Sequence, residues 1–306
     1  MPQWCAVATY KPPTTSIKRR CLAFATGFTS AEVTIKALAE GFERYALEQR
    51  RIDRSECAVN LNEPFLDPRI IVPYAPIQKE VQKNIEQFDP LKKTGWIVGV
   101  REINGNQIWI PTNLVFYANH DLQDGDKAFY QANSSGVAAH FDKHVAIETA
   151  LYELIERDAI GVTWYAKRHV HAISHEYFSN DLKERISRWK DFGYNVSLLN
   201  LTLDGPPVIL VMIWSRKRRP ALFSGASCRS TFIDAASKAF NEAEFMAMTW
   251  YHRKTKRNMS MNDVQSTDDH GLFYINPKNL IHTEWLLETK ENEIITKGFD
   301  GDLYRF

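Results

Sequence analysis

Glu153, Glu156 and Arg157 are spaced i, i+3, i+4, so a helix through them carries two carboxylates and a guanidinium on one face. Leu151, Leu154, Ile155 and Ile160 supply apolar contacts around it. Glu40, Glu43 and Arg44 repeat the order and the spacing. A third stretch, AFNEAEFMAMTWY over 239–251, aligns its Thr-Trp-Tyr with Thr163, Trp164 and Tyr165 and sets Glu242 opposite Glu156. A single face of this kind reads as a solvated charged surface. Self-similarity among three stretches reads instead as duplicated structural units. Packed side by side, such helices point several carboxylates into one space, Glu40 and Glu153 included. Buried charges of one sign need a partner. A divalent cation is the simplest, and Mg²⁺ takes a few carboxylates and waters together with substrate phosphates.

The elements that must position these residues follow from pattern and punctuation. A strand over 22–29 ends at Gly27, and Ser30 caps a helix running to about 49. Strands are expected over 70–73 and 96–103, then a hairpin turn at Asn104-Gly105-Asn106 and a return strand over 107–110. A further strand over 129–132 leads into the turn Ser134, Ser135, Gly136, placed just before the central helix at about 142–167. Glycine there lets backbone approach a ligand, and nearby N–H groups can meet phosphate oxygens; an ordinary turn is the alternative. Residues 169–174 read as an irregular link and 181–192 as a helix. Strands follow at 194–203, 208–214 and 222–227, then a third helix over 231–253. A polar, basic loop is expected over 253–270 and a last helix over 283–290. Helices alternate with strand pairs rather than in a steady βαβ rhythm, which favours α+β. The chain is read as a single domain over 1–306, with an arm or edge strand in 1–20 and a partly flexible segment over 254–306.

NSSGVAAH, a short gap and ALYELIERDA resemble the second signature of the YcaO family, and ALAEGFERYA resembles its first. The similarity runs from about Thr26 to about Arg253. The resemblance implies an enzyme that uses ATP and Mg²⁺ to activate backbone amides of a ribosomally made precursor peptide. A nucleophile adds to the amide carbonyl, the oxyanion takes the γ-phosphoryl group, and phosphate leaves as C=N or C=S forms. A Cys, Ser or Thr side chain as nucleophile gives an azoline; external sulfide or amine gives a thioamide or amidine. The resemblance makes Glu40, Glu43, Glu153 and Glu156 the Mg²⁺-ligand candidates. Arg44, Arg157, Ser134, Ser135, Gly136 and Glu242 join them at the nucleotide. It also implies an E1-like or leader-peptide-binding partner, and a homodimer is a further possibility.

Several positions depart from the family pattern. Lys36 stands where the first signature opens with serine, Val145 where a further glutamate belongs, and Phe245 where the third signature ends in glutamine. Losing the carboxylate at Val145 removes a candidate ligand of a second Mg²⁺, and Glu148 is offset from that place around the helix. A proline-rich tail common among azoline-forming members is not in the sequence, which stops at Phe306. These departures carry the second expectation, a degenerate, non-catalytic scaffold subunit of a peptide-modifying complex.

Composition narrows the classes. The 306 residues carry 38 Lys and Arg against 37 Asp and Glu. That balance suggests neither nucleic acid nor a membrane surface as partner. No apolar run is long enough to span a bilayer, and the start lacks a signal-peptide pattern. Cys5, Cys21, Cys57 and Cys228 have no paired metal spacing, so free thiols in the cytoplasm are expected. His169, His171 and His175 would suit Zn²⁺. However, Ser179 stands where a zinc-protease helix starting at His175-Glu176 needs its second histidine.

Overall fold

The computed structural model describes residues 4–10, 21–49, 51–71, 86–117, 129–130, 132–251, 258–264, 266–287, 289 and 291–292. The chain divides into two compact units, 1–141 and 142–306.

In the first unit β1 (Trp4–Tyr10) and β2 (Cys21–Gly27) pair antiparallel along their full length. Residues 4–10 thus form a strand, one of the two forms expected for 1–20. Helix α1 (Ser30–Glu48) starts at Thr29, whose hydroxyl accepts from Glu32 N–H at 3.2 Å. It buries Val33, Ala37 and Gly41, and Gly41 lies over Ala8 and Ala23 of the hairpin. A second sheet has the antiparallel order β3 (Arg54–Cys57), β4 (Lys93–Val100), β5 (Gln107–Pro111). Trp96 is its anchor: fully buried, its indole N–H donates to Glu56 O at 3.0 Å, with Phe65 and Phe88 edge-on at 5.6 and 6.4 Å. The turn into β5 places Gly105 at φ +69°, a conformation open to glycine without strain.

Three expectations fail in this unit, the first being the helix cap, which is Thr29 rather than Ser30. Pro68–Ile71 is one helical turn, α2, rather than the start of a strand, because proline at the first position presets helical φ; 72–73 lie outside the described residues. Phe129, Tyr130 and Ala132 are not in a strand. Phe129 instead packs edge-on against Phe88 at 5.1 Å, a contact that needs no ladder.

The second unit is built on a five-stranded sheet, order β10-β6-β7-β8-β9. After α3 (Lys143–Ala166) come β6 (His171–Ile173), α4 (Asn180–Asp191), β7 (Asn195–Asn200), β8 (Val208–Trp214), β9 (Leu222–Cys228) and α5 (Phe232–Tyr251). The unit continues through α6 (Thr267–Phe273) and α7 (Glu284–Leu287) to β10 (Glu291–Asn292), which runs parallel to β6. Strand alternation sorts the core into two layers. Val196, Leu198, Ile209, Val211 and Ile213 pack on α4 and α5. Leu199, Val208 and Met212 pack on the α3 side with Tyr152 and Ala159.

The link at 169–174 contains β6, and α6 starts within the expected loop over 253–270. That helix is set by Ser266, whose hydroxyl accepts from Asp269 N–H at 3.1 Å, and by the buried Phe273 rather than by apolar periodicity. Residues 253–257 lie outside the described set. The last helix follows a 3-10 segment, Pro277–Thr283, and is described over Glu284–Leu287; 288 and 290 lie outside the described residues.

Candidate functional site

Helix α3 begins at Asp142, whose carboxylate accepts from His144 and Val145 N–H at 2.8 and 3.3 Å. About four turns on, Arg157 lies 3.4 Å from Glu153 and 4.0 Å from Glu156. The Glu156 side chain is only 14% exposed. Burial, and next the opposed charge of Glu242 on α5, push its carboxyl up to about 7, against the pull of Arg157 and Lys238. Glu242 is raised as well, first by enclosure within the protein and less by Glu153, with Lys238, Arg229 and Arg157 acting against it. Its side chain keeps 45% of its accessible surface, so it can meet a solvent-borne ligand. Two helices remote in sequence thus bring Glu153, Glu156 and Glu242 into one electrostatic neighbourhood. At Glu156, burial and the like charge of Glu242 outweigh the nearby cations, so its carboxyl takes up a proton close to neutral pH.

Three members of this neighbourhood escape the sequence reading. Lys238 lies 3.9 Å from Glu242. Arg229 sits between β9 and α5, donates to Cys228 O at 2.5 Å and stands 5.8 Å over the Tyr152 ring. Cys228 is fully buried, and burial followed by the Glu156 charge pushes its thiol up to about 12. The only sequence signal for Arg229 is its place between a strand end and a helix start. Glu148 is engaged elsewhere, accepting from the Tyr152 hydroxyl at 2.9 Å.

In the first unit Glu40 accepts from Phe24 N–H at 2.9 Å and pairs with Arg44 at 2.5 Å. Lys36 pairs with Glu32. Tyr117, whose N–H donates to Leu47 O at 2.9 Å, links α1 to the Ser134 turn. Burial raises its phenol, a hydrogen bond with Ser134 and the Arg44 charge lower it, and Glu43 raises it. Ser134 is therefore brought to the Glu43–Arg44 end of α1, a proximity the sequence does not reveal. The turn is not the helix N-terminus, since Asp142 caps α3. Gly136 takes φ +79°, and Ser135 N–H is held by Asn133 at 2.8 Å.

His169 and His171 stack edge-on at 5.2 Å, and His175 lies in a separate 3-10 turn. Among the described residues no three His, Cys, Asp or Glu side chains converge to hold a metal by themselves. Mg²⁺ needs no such set, because it takes one or two carboxylates and fills its octahedron with phosphate oxygens and water.

An uncharacterized protein of Methanothermobacter thermautotrophicus (strain Delta H) is 24% identical over 299 residues, covering 90% of this chain and 70% of that one. A heterocyclase solved in complex with substrate and cofactor superposes with TM-score 0.69 at 18% identity, over 84% of this chain. The chain spans only 37% of that heterocyclase. YcaO from Methanopyrus kandleri, bound with AMPPCP and Mg²⁺, superposes with TM-score 0.63 at 17% identity, over 98% of this chain and 71% of that one. At such identities these likenesses speak for the fold. The model of the YcaO cyclodehydratases, ATP- and Mg²⁺-binding, matches residues 24–301, and this chain belongs to that ATP- and Mg²⁺-binding family.

Proposed function

We propose that this protein is an ATP- and Mg²⁺-dependent enzyme that activates backbone amides in a ribosomally made precursor peptide. The observation that carries the reading is the Glu156–Glu242 pair, two carboxyls from different helices whose neutral forms their surroundings favour despite the cations beside them. ATP would supply the phosphoryl group that turns an amide oxygen into a leaving group. Glu153, Glu156, Glu40 and Glu43 would hold Mg²⁺, with Glu242 beside them. Arg157 and Arg44 would orient the carboxylates or contact phosphate through their planar forks. Ser134, Ser135 and Gly136 would face the phosphates from the turn that Tyr117 ties to α1. Positioning and charge neutralisation are the protein's contribution to chemistry of this kind. The product is an azoline, thioamide or amidine according to the nucleophile, and an E1-like or leader-binding partner would deliver the peptide. The repeated acidic helices and the single 1–306 domain belong to this reading.

A scaffold reading is favoured by Lys36, Val145 and Phe245, and by Glu40, whose charge is already met by Phe24 N–H and Arg44. Precursor-dependent phosphate release by the purified chain with its partner separates the two. Release that requires Mg²⁺ supports the enzyme. Its absence, with the precursor still bound, supports the scaffold.

A further inference from the structure

The β1–β2 hairpin is a sheet of two strands, so each strand has one free edge among the described residues. The two edges differ. Phe24 on β2 lies opposite Val7 on β1, and its N–H donates to the Glu40 carboxylate rather than across the ladder. Val7 and Phe24 are therefore a non-hydrogen-bonded pair, and the backbone groups of both point outward. On β2 the outward N–H groups are met from α1. Glu40 takes Phe24 N–H at 2.9 Å, and Glu32, about two turns earlier on the helix, takes Phe28 N–H at 3.0 Å. Two acids on one face of α1 thus cover the β2 edge.

The β1 edge has no such cover. Alternation sends the N–H and C=O of Cys5, Val7 and Thr9 outward, and none of the described residues takes them. The usual protections of an edge are missing as well. The strand reads WCAVATY, with no charged side chain and no proline, and its register with β2 runs unbroken from Trp4 to Tyr10. Its outer face is apolar and open: Val7 is 52% exposed and its cross-strand neighbour Phe24 is 38% exposed. A two-stranded sheet is marginal by itself, and a further strand on this edge would stabilise it.

A second copy of β1 fits this edge. The outward groups are symmetric about Val7, so an antiparallel partner centred there satisfies all of them. Cys5 would exchange hydrogen bonds with the partner's Thr9, Val7 with the partner's Val7, and Thr9 with the partner's Cys5. The same register continues Phe24 and Val7 into the partner's Val7 and the partner's Phe24, one apolar row across the joined sheet. A foreign strand could take the same backbone bonds. A copy of β1 also supplies the continuing row, and symmetry sets its register.

We propose that two copies of this chain pair edge to edge through β1, antiparallel about a two-fold axis at Val7. The assignment is independent of the nucleotide chemistry proposed above. The test is analytical ultracentrifugation of the full chain over a range of concentrations, for the wild type, Val7→Pro and Val7→Lys. Val7 N–H faces away from β2, so proline there removes no bond within the hairpin. Each variant is expected to raise the dimer dissociation constant about tenfold or more, the first by a lost hydrogen bond and the second by charge on the edge. Circular dichroism melts, read alongside, identify a variant that is merely unfolded. A cross-link gives a second readout. In a Cys5→Ser, Cys21→Ser background, Val7→Cys is expected to form a disulfide-linked dimer on mild oxidation, because hydrogen-bonded partners stand about 5.5 Å apart at Cα. Phe24→Cys in the same background, three strand spacings or roughly 14 Å from its counterpart, should not link. A wild type that is monomeric at every concentration overturns the proposal, and so does a dimer that tolerates both substitutions. Linking of Phe24→Cys without Val7→Cys places the contact elsewhere and overturns it too. Hydrogen exchange in which Val7 N–H is protected only after a precursor peptide is added would give the edge to a foreign strand and likewise overturn it.

Discussion

Glu156 is a carboxyl whose folded environment favours its neutral form, and that has a measurable signature. Its carboxyl moves from 4.5 up to about 7 on folding, so the folded chain binds this proton more tightly than the unfolded chain does. Its contribution to stability is complete below about pH 4.5 and is lost as pH rises through 7. The loss by pH 8 is on the order of 3 kcal/mol in the nucleotide-free protein. Glu156→Gln keeps size and hydrogen bonding without the charge. We expect its apo melting temperature to exceed that of wild type at pH 8 and to converge with it near pH 5. Precursor-dependent ATP hydrolysis should fall by orders of magnitude, as when a group stabilising a transferring phosphoryl is lost. Changing Glu48, on α1 outside the signature, should do little to either. A Glu156→Gln protein that is less stable at pH 8 yet fully active would make Glu156 a salt-bridge partner and end the assignment. Glu156 and Glu242, set opposite each other in the sequence alignment, lie close enough in the structure for their charges to interact. The sequence misses Arg229 and Lys238 because nothing local marks a cation that acts across to another helix.

Between elements, the packing of α5 fixes where Glu242 stands. Arg185 of α4 donates to Glu244 of α5 at 2.7 Å and to Asn241 at 2.6 Å, and Trp189 donates to Glu244 at 3.0 Å. Both charged side chains are about 5% exposed or less, and Arg185 also lies 4.7 Å over the Phe240 ring. Removing one partner strands a buried charge, so Glu244→Leu should cost about 3–5 kcal/mol. Arg185→Met combined with Glu244→Leu should recover much of that, and chemical denaturation of the three variants checks it. Gly225→Ala is the second handle on α5. Its Cβ would meet Ala239 O and Ala243 N at 2.4 Å, and main chain cannot swing aside as a flexible side chain can. A loss of about 3 kcal/mol or more is expected, at the upper end for overpacking, and an unchanged denaturation midpoint would refute the contact. At this scale the strongly patterned elements are the legible ones. Strand β8, buried on both faces, and the hairpin at Gly105 fall where pattern puts them. Strand β3, the polar Arg54-Ser55-Glu56-Cys57, carries no alternation, and tertiary pairing to β4 makes it a strand.

At the scale of the whole chain, the family match spans both compact units, and the two acidic signatures fall one in each. The fold class is legible because helices and strand pairs are patterned locally. Whether two signatures serve one ligand is not, because no residue pattern encodes the distance between units. Thermodynamics can answer this without coordinates. ATP that binds the native state raises the melting temperature by mass action, and the shift should require Mg²⁺ and vanish with EDTA. A shift indifferent to EDTA would count against a metal–phosphate site, and no shift at millimolar ATP would favour the scaffold. Given a Mg²⁺-dependent shift, Glu40→Gln and Glu153→Gln form a cycle. Mutations at independent sites add within about 0.5 kcal/mol, whereas residues sharing one ligand couple by about 0.5–3 kcal/mol. If both carboxylates hold the same Mg²⁺–ATP, the first substitution removes most of what the second could, and the double variant binds ATP more tightly than additivity predicts. Strictly additive losses would mean that the two signatures act on separate ligands, and the shared-nucleotide reading would then fail even with both glutamates essential.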